Sequence, residues 1–61
     1  MESSIGNVYI NIVTGNQWKI VKEKDKRITF EDMNGNQFNT IIEATGNYVY
    51  IGKEFTKKRN F

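Results

Sequence analysis

The chain has 61 residues, nine of them Lys or Arg and seven Asp or Glu, for a formal charge of +2. A single domain of this length buries only about 60% of the surface its unfolded form exposes, so its core has little to spare. With no Cys and no His it has neither disulfide nor zinc to staple that core, and it lacks the side chains that most often carry acid–base and thiol chemistry at neutral pH.

Val8, Ile10 and Ile12 alternate with Tyr9 and Asn11, the period of a half-buried first strand that ends at Thr14-Gly15-Asn16. Gln17 to Glu23 forms a second strand, with Trp18 and Ile20 on one face, Lys19 and Glu23 on the other, and Val21 out of phase among the polar residues. After the polar break at Lys24-Asp25-Lys26, Ile28 and Phe30 face one way and Arg27, Thr29 and Glu31 the other. The Asn34-Gly35 pair predicts a type I′ hairpin that folds the next strand straight back. That fourth strand covers 37–44, and the adjacent Ile41 and Ile42 predict a bulge or bend. Thr45-Gly46-Asn47 turns the chain into a short fifth strand, Tyr48 to Ile51, closed by Gly52. Lys53 to Phe61 is a charged tail.

The predicted fold is therefore all-β: a small five-stranded antiparallel SH3-like barrel or a curled meander over 5–52, with a basic and aromatic tail over 53–61. Closure would protect the sheet edges. No Pro is present to blunt an exposed edge strand, so an open sheet would pair through its edge with another copy. One Trp, three Tyr and four Phe supply the large apolar side chains such a core needs.

Ile5-Gly6-Asn7-Val8-Tyr9, Thr14-Gly15, Trp18-Lys19-Ile20-Val21, Arg27-Ile28-Thr29-Phe30-Glu31-Asp32 and Gly35 follow an order that resembles small SH3-like barrel modules of phage proteins and of homing-endonuclease-associated proteins. The resemblance implies a barrel and a phage or mobile-element origin. It transfers no functional residue.

The residues point to no catalytic site and no cofactor. Ser3 and Ser4 lie in a terminus that cannot hold a general base in fixed geometry. Glu23, Asp25, Glu31, Asp32 and Glu43 read as solvated charges. Asp32, Asn34, Asn36 and Glu43 stand at the first, third, fifth and twelfth positions of an EF-hand loop, but the glycine is fourth instead of sixth and the flanks are strands, so no metal site is predicted.

Binding is the expected activity. If Val49 and Ile51 face the core, Tyr48 and Tyr50 face solvent, and Tyr9 does so if Val8 and Ile10 point inward. Tyr9, Tyr48 and Tyr50, followed by Lys53, Phe55, Lys57, Lys58 and Arg59, then form the predicted contact patch. Three readings of it stay open: anchors of a protein–protein interface, including one between copies of this chain; a nucleic-acid-binding accessory surface that stacks bases on tyrosines and meets phosphates with the Lys/Arg tail; or ring cover for the sheet beside a solubilising end. Phe55 and Phe61 imply that the tail docks on its own domain or on a second chain. Acidic residues interrupt the outward faces elsewhere, which favours a discrete protein partner over a phosphate track. The expectation is a non-enzymatic inhibitor of a host defence protein, phage-encoded and acting in the host cytoplasm, with no membrane association; the alternative is the nucleic-acid-binding module.

Overall fold

The computed structural model describes residues 4–41 and 44–56. Five antiparallel strands form one sheet: β1 (Val8–Asn11), β2 (Gln17–Lys24), β3 (Arg27–Glu31), β4 (Gln37–Ile41) and β5 (Tyr48–Gly52). Their order across the sheet is β4-β3-β2-β1-β5, so four strands run as a meander and the fifth returns to lie beside the first. β4 and β5 are the two edges and are not paired with each other. Of the two predicted architectures, the chain adopts the open one.

The sheet is nevertheless strongly curled, and aromatic rings show it. β3 and β5 are three strand spacings apart, about 14 Å in a flat sheet, yet the rings of Phe30 and Tyr48 stack at 5.1 Å with an interplanar angle of 22°. Phe30 is fully buried, with Ile20 and Ile28 packed in the same cluster. Around it stand Tyr9 at 6.1 Å, Trp18 at 6.4 Å and Phe38 at 5.5 Å between ring centroids. Trp18 and Phe38 also meet edge to face at 4.8 Å, the geometry favoured by the ring quadrupole. Pairing of Ile20 with Phe30 and of Phe30 with Phe38 puts these side chains on one concave face.

This arrangement corrects the face assignment of the first and last strands. Tyr9 and Tyr48 are half-buried and packed against the core, whereas Val49 is 50% exposed. Alternation separates two faces but does not say which is inside. That is settled by the register: Tyr9 lies opposite Trp18 and Tyr50, so these rings share the side of Phe30, where curling brings the large apolar surfaces together. Val8 is buried as expected, but on the convex side, opposite Lys19.

Two irregularities help the sheet bend. β2 slips register between Ile20 and Lys22, leaving Val21 as the extra residue, and this accounts for its being out of phase. A second shift separates the Val8–Gly52 and Tyr9–Tyr50 pairs. The bulge predicted at Ile41-Ile42 lies partly outside the described residues.

The β3–β4 turn also differs from its prediction. Only Gly35 has positive φ there (89°), whereas a type I′ turn needs it at both central residues. The amide of Gly35 donates to the Asp32 carbonyl at 3.2 Å and that of Asp32 to the Asn36 carbonyl at 2.9 Å, giving a three-residue loop with a left-handed glycine. Asp32 makes that choice, because its carboxylate accepts from the Asn34 and Asn36 amides and from the Asn36 side chain, at 2.9 to 3.0 Å. A compact Asx turn outcompetes the tighter alternative. The β2–β3 turn is two residues long, with Asp25 at φ 57°, a conformation that Asp tolerates better than most side chains.

Truncating a buried Phe costs about 3–5 kcal/mol, against a total stability of roughly 3–9 kcal/mol for a domain this size. Phe30→Ala is therefore expected to abolish cooperative thermal unfolding followed by circular dichroism, while Phe30→Leu keeps a transition at lower temperature. The Asn36 side-chain amide, above all, holds the Asp32 carboxyl below its ordinary value, with help from the loop amides. A depressed folded-state pKa contributes stability that is present above the unfolded value and lost as pH falls through the folded one. Asp32→Asn should thus melt below the wild type at neutral pH, and the gap should narrow on acidification through the carboxylate range.

Candidate interaction surface

Gln17 opens β2 opposite Ile10, and its face is the convex one it shares with Val8 and Lys19. It is buried, at 8% exposure. Its side-chain amide donates to the Thr56 carbonyl at 2.9 Å and its carbonyl accepts from the Thr56 amide at 2.6 Å. One side chain therefore satisfies both main-chain groups of a residue thirty-nine positions later. Just before it, the Phe55 ring lies 5.2 Å from the Lys19 ammonium, a cation–π contact. Lys53 donates to the Asn7 side chain. The start of the expected tail is thus a strap across the convex face, and Val8 is buried on that side.

The predicted patch residues are accordingly split. Phe55 belongs to the strap, and Lys53 is tied to the loop before β1. Tyr48 stacks on Phe30 inside the curl. Tyr50 is 51% exposed at the rim and touches Tyr9 edge to face at 5.7 Å. Lys57, Lys58 and Arg59 lie outside the described residues, as does Phe61. The structure brings Tyr9, Tyr48 and Tyr50 to one face, as the sequence predicted, but to the inner side of the curl.

A different exposed set lies at the β1–β5 end. Val49 faces Ile10 across the strands. Ile12 continues that line, its amide donating to the Asn47 carbonyl at 2.9 Å. Asn11 fastens the following turn, its side chain accepting from the Val13 and Thr14 amides. The result holds Ile12 63% and Val13 73% exposed beside the half-exposed Val49 and Tyr50. Sequence reasoning named Tyr50 but missed Ile12, Val13 and Val49, having placed Ile12 and Val49 on the inward face of their strands. A signal existed in the adjacent pair Ile12-Val13, which cannot share one face of a strand.

Among the described residues, no three Asp or Glu side chains converge as a metal site would require. The Asp32 carboxylate is engaged by its own loop, and Glu43 lies outside the described residues. A shallow depression of about 340 Å³ is lined by Lys19, Val21, Glu31, Asp32, Met33 and Phe55. No helix among the described residues is long and apolar enough to cross a membrane. Comparisons with protein-family models, with curated proteins and with solved structures found no match.

Each Gln17–Thr56 hydrogen bond contributes about 0.5–1.5 kcal/mol net. Gln17→Ala is expected to lower stability by roughly 1–3 kcal/mol and to speed hydrogen exchange at the Thr56 amide far more than at β3 amides, read by NMR.

Proposed function

We propose that this chain is a small non-enzymatic binding protein that works by occupying a surface of another protein, as an inhibitor does. One observation carries the reading: Ile12, Val13 and Val49 stand exposed at one end of the sheet, with Tyr50 exposed at the rim of the opposite face, in a chain whose core is too small to expose apolar side chains without cost. Aromatic and aliphatic anchors bordered by polar residues are the usual centre of a protein–protein contact. Neighbouring turns supply such a border in Asn11, Thr14, Asn16 and Asn47.

The nucleic-acid alternative is supported less well. Base stacking needs exposed ring faces, and of the three tyrosines Tyr48 presents its face to Phe30 and Tyr9 its ring to Phe30 and Tyr50. Lys22, Lys24 and Arg27 share one face of the second hairpin, but Glu31 stands opposite Lys19 on that same face, which keeps the basic line short.

Two measurements test the proposal together. A photo-crosslinking amino acid placed at Val13 should yield protein adducts in a cell lysate that the same probe at Lys26 does not. Labelled single- and double-stranded DNA and RNA should show no binding that falls steeply with salt. Equal labelling from both positions, or steep salt-dependent binding, would reject the protein-surface reading.

A further inference from the structure

Edge strands in soluble sheets are ordinarily blunted by charge or Pro, because their free main-chain groups template further pairing. In this chain the charges sit on the wrong strands for that purpose. Lys19, Lys22, Glu23, Lys24, Arg27 and Glu31 lie on β2 and β3, which have a neighbour on each side, while edge strands β4 and β5 hold no charged residue and the chain has no Pro. We infer that β5 is the contact strand of a two-fold homodimer, in which a second copy adds its own β5 antiparallel to this one. The inference rests on the protein-surface reading and names its partner.

Strand directions restrict how two copies can join. Every neighbouring pair is antiparallel, so β4 and β5, four steps apart, point the same way. A copy offering β4 to this β5 would pair in parallel, or would have to turn its concave face to the opposite side. Two β5 strands related by a two-fold axis normal to the sheet meet antiparallel with both concave faces on one side. That is the isologous closed contact most common among oligomers.

Hydrogen bonding then fixes the register. Ile12 donates to Asn47, so Asn47 and Val49 exchange bonds with β1, and the main-chain groups of Tyr48 and Tyr50 point away from it. The Tyr48 amide is already taken by the Thr45 carbonyl at 3.1 Å. What remains along the regular part of the edge is the Tyr48 carbonyl and both main-chain groups of Tyr50. Of these, the Tyr48 carbonyl and the Tyr50 amide match in a pair centred on Val49: each Tyr50 amide donates to the carbonyl of the partner's Tyr48. Val49 then packs against the partner's Val49, and Tyr50 lies beside the partner's Tyr48. The edge carries no charge to repel its copy. Ile12 and Val13 extend the apolar contact on either side of the axis.

In a non-hydrogen-bonded antiparallel pair the Cα atoms lie about 4.5 Å apart, within disulfide range. The native chain has no Cys, so Val49→Cys should form an intermolecular disulfide quantitatively on mild oxidation, whereas Ile41→Cys on the β4 edge should not. Sedimentation of the unmodified chain from micromolar to millimolar concentration should show a mass twice that of one chain, and Val49→Lys should return it to one with its circular dichroism spectrum and melt retained. A monomer throughout, or crosslinking through Ile41→Cys instead, overturns the dimer. Protein adducts formed at Val13 by a chain that sediments as a monomer would leave the broader binding proposal standing with a different occupant.

Discussion

The fold depends on the stacking of Tyr48 on Phe30. These residues belong to strands that a flat sheet would hold well apart, and their contact exists only because the sheet curls around the Phe30 ring. Tyr9, Trp18 and Phe38 complete the enclosure from β1, β2 and β4, so each of the five strands contributes an aromatic side chain to one cluster. A chain of this size buries a smaller share of its surface than a larger domain does, and its described residues form one sheet with no second layer packed against it. Bending a single layer around a large ring is its substitute, and offset or edge-to-face ring contacts add about 0.5–1.5 kcal/mol each beyond the area they bury.

A curled single sheet leaves its convex side open to water, and here the chain covers part of that side with itself. Gln17 holds Thr56 by its main chain alone, a contact that any residue except Pro could make at position 56. Phe55 adds the apolar component beneath Lys19. The bulge at Val21 and the register shift beside Tyr9 let inner and outer faces coexist on short strands. Coverage stops short of the β1–β5 end, where Ile12, Val13 and Val49 remain exposed.

Curling without closure satisfies the core but leaves two edges, and a closed barrel of the same strands would have had none. Unlike β2 and β3, neither edge carries a charge to discourage pairing. Exposed apolar side chains and free main-chain groups occur on both edges, at Phe38 and Ile41 of β4 and at Val49 and Tyr50 of β5, and β5, with Ile12 and Val13 beside it, is the edge at which we propose that a second copy docks.

The sequence by itself determined the strands. Alternation over short segments placed all five, and the Gly-Asn and Lys24-Asp25-Lys26 breaks between them, because strand period and turn chemistry are local properties of the backbone. Ile28 and Phe30 were also legible as core, since no neighbouring residue on that strand competes with them. Tertiary structure alone decided which face of β1 and β5 is inside, because period two yields two equivalent sets and only register against Trp18 and Phe30 breaks the tie. The same holds for the strap, since no local signal couples Gln17 to Thr56 across thirty-nine residues. The candidate surface shifted with that choice of face: Tyr48 went to the core and Val49 to the exposed edge, for the physical reason that a curled sheet places its largest rings on the inside of the bend.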